Sequence, residues 1–514
     1  MMVIGDLLLH NARRIPAREA IVCGDARISW GELNASVNRL ANGLLANGVV
    51  PGDRVAFILG NGIDIVRLYY AVAKIGCVSV PIMPRSVGRE IAHIVNDVAA
   101  TAIVASADQA AAVREALPGL ATLKLVIGLG ADHGLPTDLA TVMTAGHEDE
   151  PSVAVDPAST CAILFTSGTT GAPKGCMLSH SAKVLSRMSM LDHVAYQETD
   201  RALLFMPLTA SLGADMLHTH VLRGMTTVLV SRFDEVEMLR LVEAERITVL
   251  YALETTFDKL VAHPDVETTD WSGLRFFFAT SATRDLGPAV TRLKAQPNFR
   301  AAFWNAYGCT EGGGWLTFIG AEEIEAAASG DDAAGLRRSI GRECMMARVD
   351  CVDGQGVSLP PGQIGEMTLS APWLFSGYWG QPERTAEALQ DGRYFTGDLA
   401  RKDAAGYVFL EGRMKDMIKT GGVNVYPAEI EMVLKGHPGV REVAVVGVPD
   451  ADWGEKVVAC VIADGPCVDQ DLLDYCKGEL AGFKVPKAVI FMTDFPRDVV
   501  GKILKRDLRL QLAA

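Results

Sequence analysis

Residues 166–175 read T-S-G-T-T-G-A-P-K-G, with the apolar run T-C-A-I-L-F before them and C-M-L behind. That pattern predicts a strand, a tight loop and a returning strand. Gly168, Gly171 and Gly175 let successive backbone N–H groups turn toward one anion. Thr166, Ser167, Thr169 and Thr170 add hydroxyl donors, and Lys174, behind a rigid proline, adds a full positive charge. A loop of this make-up suits a polyphosphate. It is not the common phosphate loop, G-x-x-x-x-G-K-[ST], which opens directly into a helix. Here the lysine is followed by Gly175 and more apolar chain. An ordinary polar turn between strands needs neither this many hydroxyls nor a lysine behind a proline.

At 514 residues the chain is too long for one core, so two or more domains are expected. A formal charge of −14 argues against nucleic acid as a partner, and any positive potential must be built locally, as at Lys174. The ten cysteines are scattered with no C-x-x-C pair, which predicts reduced, buried thiols and a cytoplasmic protein. His218 and His220 stand two apart, without metal-ligand spacing. Leu7, Leu8 and Leu9 precede the first arginines, the reverse of a secretion signal, and the chain's last residues carry no targeting tripeptide. No apolar run approaches the ~20 residues that span a bilayer.

Read in order, residues 28–45 predict a short strand entering a helix, with Ser29 before Trp30. Residues 54–59 predict a buried strand, 63–75 a helix and 77–81 a strand, together a βαβ unit. The alternation continues through 92–99 and 101–105. After the central loop it returns as strands at 202–206, 226–230, 248–252 and 275–279, with a helix over 235–245. From Ser339 short strands broken by glycine and proline predict a small β-rich subdomain. A separate helix-and-strand block follows Met414. The fold class is therefore α/β. A large N-terminal domain (1–412) holds two mainly parallel sheets with helices plus the β-rich subdomain. Residues 413–416 form a hinge, and 417–514 form a small mobile α+β domain.

Four later segments carry chemistry. N-A-Y-G-C-T-E-G begins at Asn305, after a strand-like run; Y-F-T-G-D-L begins at Tyr394; E-G-R-M-K-D begins at Glu411; and P-R-D-V-V-G-K-I-L begins at Pro496. With the central loop, and in this order, they resemble the signature motifs of the adenylate-forming superfamily of acyl-CoA synthetases, luciferases and peptide-synthetase adenylation domains. The resemblance covers essentially the whole chain. It implies that residues 166–171 and Lys174 bind the ATP phosphates, that Asn305, Tyr307 and Gly308 line the nucleotide with Tyr307 stacked on adenine, and that Thr310 bonds the α-phosphate. Glu311 would hold Mg²⁺; one carboxylate suffices, since magnesium completes its shell from phosphate oxygens and water. Asp398 and Arg413 would hold the ribose. Lys415 would be the hinge residue, and Lys502 the catalytic lysine of adenylation. Lys419, Gly421 and Gly422 would meet the CoA tunnel once the small domain has turned. Asp498 stands where the family has a hydroxyl residue.

The acid pocket is where the chain departs from its relatives. Thr209 and Ala210 replace an aromatic or histidine pair, Glu254 stands where proline is usual, and residues 280–283 (T-S-A-T) replace a Gly-Ala-Pro segment. The pocket is expected among Thr209, Ala210, Gly213, Ala279 and Cys309. No aspartate stands near Ala210 to pair with an amino-acid amine, although Asp215 lies close in sequence. The resemblance implies a carboxylic acid–CoA ligase using ATP, Mg²⁺ and CoA through an acyl-adenylate, for an aliphatic, aromatic or alicyclic acid. The alternatives are a synthetase that loads a carrier protein and a non-catalytic nucleotide-binding protein. A homodimer is the expected assembly.

Overall fold

Alternate residues of the strand Arg54–Ile58 enter different cores: Val55 and Phe57 join one apolar cluster, Ala56 and Ile58 another. Because side chains alternate along a strand, a run apolar on both faces must be covered by helices above and below. The computed structural model describes residues 2–166, 173–280, 287–328, 335–421, 423–450, 452–497 and 503–513. Among them are four sheets. One has eight strands and holds Arg54–Ile58, Val78–Pro81 and Ala102–Ser106 in parallel, with the antiparallel pair Thr160–Thr166 and Lys174–Ser179 toward one end. Another has nine, with Arg201–Leu204, Thr226–Leu229, Val249–Leu253, Phe276–Thr280 and Ala302–Cys309 all parallel.

The helices Ile4–Arg14, Ile63–Lys74, His180–His193 and Ser211–Arg223 contribute to one apolar cluster that reaches both large sheets, so the two sheets share a core. A third, antiparallel sheet is built from Arg348–Val352, Ile364–Ser370, Leu389–Gln390, Arg393–Lys402 and Val408–Arg413. This is the β-rich subdomain the glycine and proline breaks predict. The fourth sheet is made only of strands that follow Asp416, and its alternate residues again feed separate clusters, Val443 and Val445 on one face, Ala444 and Val446 on the other. The large N-terminal part and smaller C-terminal part of an α/β fold are thus observed. Ser29 caps Trp30–Ala46 by accepting from the Glu32 N–H, with Glu32 reaching back. No helix among the described residues is long and apolar enough to cross a membrane.

Asn61 joins the large sheets. Its amide donates to the carbonyls of Phe205, Met206 and Val230 at 3.0–3.2 Å and accepts from the Leu208 N–H at 2.9 Å. It thereby fixes the segment leading to Thr209. Asn61→Ala leaves buried backbone groups without partners, and chemical denaturation should show a loss of about 2–3 kcal/mol.

Three histidines are buried in this core: His180, whose Nδ1 accepts from the Ile4 N–H; His218, bonded to Tyr70; and His220, between Thr227 and Tyr251. Burial pushes their pKa values down from 6.5 to about 4, 3 and 3. The folded protein keeps them neutral, while the unfolded chain protonates them near pH 6.5. Their contribution to stability is therefore complete above that pH and is lost as pH falls through it toward 4. Unfolding midpoints should decline from about pH 7 to pH 5, before most carboxylates titrate; a flat profile would contradict neutral core imidazoles.

Candidate active site

Two small constellations flank the turn that carries Thr310 and Glu311. The first is set by register. Asp398 and Arg413 lie directly opposite each other on the antiparallel strands Arg393–Lys402 and Val408–Arg413. Arg413 Nε is 2.8 Å from Asp398 Oδ1, and Tyr307 Oη donates to Asp398 Oδ2 at 2.7 Å. Burial, then the neighbouring Cys309 and Asp398, push the Tyr307 phenol well above its usual pKa, so it is a donor here. The motifs Y-G-C-T-E, T-G-D and E-G-R, far apart in sequence, therefore converge.

The second constellation needs a strand the motifs do not announce. Gly377–Tyr378 pairs antiparallel with Lys174–Ser179, and the Trp379 N–H donates to the Gly175 carbonyl at 2.8 Å. Tyr378 thus lies beside the phosphate-loop lysine, with Lys174 Nζ 4.8 Å from its ring centre. Its hydroxyl donates to Glu311 Oε1 at 3.1 Å. Burial, then the charge of Glu311, raise the phenol's pKa; Phe375 packs edge-on against the ring, and Tyr394 packs against Phe375. Backbone ties complete the assembly: the Phe375 N–H donates to the Glu311 carbonyl at 2.9 Å, and the Gly313 N–H to the Thr310 carbonyl at 3.0 Å. Gly313 has φ +68°, and a Cβ there would meet the Trp373 carbonyl oxygen at 1.9 Å, so only glycine fits. Cys309 links the two groups, since burial, then the charge of Glu311, raise its thiol and it also feels Asp398 and Arg413.

Thr166 faces Lys174 across the paired strands. Ser167, Gly168, Thr169, Thr170, Gly171, Gly422 and Lys502 lie outside the described residues. Arg497 and Ile503, on either side of residues 498–502, form an antiparallel bridge, and the Leu504 N–H donates to the Pro496 carbonyl at 2.8 Å. Asn305 is buried and donates to the Ser339 carbonyl at 3.2 Å, which fixes its strand. Gly308 sits at a register shift where a Cβ would meet the Gly314 carbonyl oxygen at 2.4 Å.

In the acid-pocket set, buried Thr209 donates to Met83 Sδ, and a Cβ on Gly213 would meet the Pro207 carbonyl oxygen at 2.2 Å. Ala210 precedes the helix Ser211–Arg223, and Ala279 lies on the strand Phe276–Thr280. Asp215 is buried and ion-paired to Lys183 and Arg187, so its carboxylate is not free for a substrate amine. That removes the ambiguity its sequence position leaves.

Sequence reasoning misses Tyr378, although G-Y-W beside a proline-led helix start was a signal. It also misses a surface next to Gly421. Trp453, 42% exposed, accepts the Gly421 N–H on its carbonyl at 2.8 Å and carries Lys487 Nζ 4.6 Å from its ring centre. Phe483 is exposed nearby in sequence, beside Lys484. Among the described residues no cluster of three His, Cys, Asp or Glu side chains could hold a metal by itself. Glu311, with one oxygen on a neutral hydroxyl, fits a magnesium ion whose remaining ligands are phosphate oxygens and water.

Two α/β sheets that share a core, a β-rich subdomain and a separate small C-terminal sheet, with distant motifs gathered beside Lys174, are the fold of an adenylate-forming enzyme. Residues 8–379 match the AMP-binding enzyme family and residues 429–502 the AMP-binding enzyme C-terminal domain. The chain belongs to the AMP-binding enzyme family, as an AMP-forming acyl-CoA synthetase. It is 36% identical over 511 residues to a feruloyl-CoA synthase of an Amycolatopsis species, covering 98% of both chains. It is 34% identical over 522 residues to the long-chain-fatty-acid–CoA ligase FadD13 of Mycobacterium tuberculosis, covering 100% of this chain and 99% of that one. ATP-bound MatB from Rhodopseudomonas palustris superposes with a TM-score of 0.87 at 30% identity, covering 100% and 99% of the two chains. Apo MatB, with the same identity and coverage, gives 0.77.

Tyr378→Phe keeps the ring beneath Lys174 and removes the hydrogen bond on Glu311. The expected result is an unchanged circular dichroism spectrum and adenylate formation slowed by up to about 10², read as pyrophosphate exchange into ATP.

Proposed function

We propose that this chain joins a carboxylic acid lacking an α-amino group to coenzyme A in two steps at one site. In the first, a carboxylate oxygen attacks the α-phosphorus of ATP, the bond to the bridging oxygen of the β-phosphate breaks, and pyrophosphate leaves. In the second, the CoA thiol loses its proton, its sulfur attacks the acyl carbonyl, and the bond to AMP breaks. The first step brings two anions together and builds charge on the phosphates, so cations and N–H groups held in advance lower its barrier. Lys174, and Lys502 when the small domain is closed, supply the charge; residues 166–171 and Thr310 supply donors. Tyr307, with Asp398 and Arg413, holds the nucleoside. Glu311 would hold Mg²⁺, which when bound neutralises developing phosphate charge.

The observation that carries this reading is the convergence, around residues 307–311, of Lys174 and Tyr378 on one side with Asp398 and Arg413 on the other. Release of Asp398 from Tyr307 would free carboxylate lone pairs for ribose hydroxyls. Ion pairing of Asp215 with Lys183 and Arg187 supports exclusion of α-amino acids. For CoA, the exposed Trp453 with Lys487 over its face, beside Gly421 and Lys419, offers a plate and cations for a phosphorylated adenosine. The hinge at Lys415 would let this surface and Lys502 serve the site in turn. Ten free cysteines fit a reducing cytoplasm.

The similar enzymes named above act on an aromatic acid and on long-chain fatty acids, so the test panel must contain both. Acid-dependent exchange of labelled pyrophosphate into ATP reports the first step, and CoA-dependent AMP release the second. Lys502→Ala should lose exchange by about 10²-fold while still binding ATP; exchange at the parent rate would remove that lysine from the mechanism. Trp453→Ala should leave exchange unchanged and raise the KM for CoA about tenfold. Acyl transfer to a carrier protein but never to free CoA would overturn the choice of acceptor.

A further inference from the structure

An ionic cluster that neither reaction step uses lies behind the turn carrying Glu311. Lys183 and Arg187 project one turn apart from the helix His180–His193 and meet Asp215 on the helix Ser211–Arg223. Lys183 Nζ is 2.6 Å from Asp215 Oδ1, Arg187 Nη1 donates to the same oxygen, and Ser211 Oγ donates to Oδ2 at 3.3 Å. All three charged residues are nearly sealed, with exposures of 2%, 0% and 3%. His218, which feels their charges, stays neutral. Two cations thus share one carboxylate where water cannot reach, and a surplus buried charge is strongly penalised unless other dipoles answer it.

The answering dipole is the active-site turn. Arg187 Nη2 donates to the Gly313 carbonyl at 3.2 Å and to Ser186 Oγ at 2.8 Å. A Cβ on Gly314 would meet Arg187 Nη2 at 1.9 Å and Ser186 Oγ at 2.4 Å, while one on Gly313 would meet the Trp373 carbonyl oxygen at 1.9 Å. The backbone two and three residues after Glu311 is therefore gripped between a guanidinium and a tryptophan backbone. A planar fork held at one end by Asp215 can fix a carbonyl at its other end, which a single ammonium at Lys183 cannot do.

We propose that Arg187 is a positioning residue: oriented by Asp215, its guanidinium fixes the turn at residues 310–313 so that Thr310 and Glu311 meet the nucleotide and its metal in one geometry. This rests on the roles given above to Thr310 and Glu311. Lys183, with no bond to the turn, serves as the internal control.

Three variants test it. Arg187→Met removes the fork and leaves Lys183 and Asp215 as a balanced pair; Arg187→Lys keeps the charge and loses the fork; Lys183→Met removes the other cation and keeps the path from Asp215 to Gly313. Expected for both Arg187 variants is a kcat for pyrophosphate exchange about 10–100-fold below the parent, with the KM for the acid within about twofold. The affinity for Mn²⁺ in the presence of ATP, read by electron paramagnetic resonance, should weaken about tenfold in both. Lys183→Met should stay within about threefold of the parent on each readout, with a similar change in thermal midpoint. The proposal is overturned by a folded Arg187→Lys protein with parental kcat and Mn²⁺ affinity, or by equal losses in Lys183→Met. Should Arg187→Met not fold, Arg187→Lys alone decides. A parent protein with no acid-dependent exchange on any acid would instead sink the functional reading, and Mn²⁺·ATP binding would still test Arg187.

Discussion

A two-residue strand holds the candidate site together. When Gly377–Tyr378 pairs with Lys174–Ser179, the chain following the antiparallel sheet's strand Ile364–Ser370 is fastened beside the phosphate loop. The same pairing puts one phenol between Lys174 and Glu311. The bonds are ordinary backbone ones, but their position means that Lys174, Glu311 and the Asp398–Arg413 pair come from different parts of the chain yet share one frame. Trp379 reinforces it by donating its indole N–H to the Asp97 carbonyl at 3.1 Å, at the end of the helix Gly88–Asp97. A site assembled this way is as rigid as its weakest crossing, and side-chain bonds in buried or half-buried surroundings, Tyr307 to Asp398 and Tyr378 to Glu311, add to the backbone ties.

Charge explains why so much of this frame is polar. The protein carries a formal −14, so a triphosphate approaching it is repelled at long range and must be met by cations at short range. The proposal above gives that task to Lys174 and Arg413, each already held against a partner, a ring face or a carboxylate, which limits its motion. The sealed Lys183–Asp215–Arg187 group adds one net positive charge behind the same turn. Preorganised charge of this kind requires no reorientation as the reaction proceeds.

What the sequence made legible follows from locality. N-A-Y-G-C-T-E-G encodes a strand end and a tight turn, a conformation set within a few residues, whereas T-G-D lies inside the strand Arg393–Lys402; the alternation of helix and strand reads directly from apolar periodicity. The elements expected at 54–59, 63–75 and 235–245 agree with Arg54–Ile58, Ile63–Lys74 and Glu235–Ala244 to within a few residues. Tyr378 and Arg187 were not legible, because what matters about each is a partner more than sixty residues away. Asp215 shows the converse: sequence position suggested a substrate carboxylate, and only packing against Lys183 and Arg187 assigns it to the interior. Asn305 likewise reads as a ligand in its motif yet donates to Ser339.

The small C-terminal sheet has a consequence for the two-step chemistry. Its two faces feed separate cores: Phe495, Leu508 and Ile503, the near neighbours of Lys502, pack on one, while Ile418, Val425 and Val485, which flank Gly421 and neighbour Phe483, pack on the other. Arg497 pairs with Glu442 and Lys505 with Glu431, so the chain on both sides of Lys502 is tied to the body of that sheet. Arg509 reaches Asp416, tying the last helix to the residues just before the first strand. On the reading proposed above, the segment bracketed by Arg497 and Ile503 and the exposed Trp453 would be carried together on one unit. With Lys415 as the proposed hinge, exchanging the two at the nucleotide site would need only rotation about a few backbone angles. Under that proposal adenylate and thioester chemistry would share one set of phosphate ligands, since the groups that change between steps would be those on the rotating part.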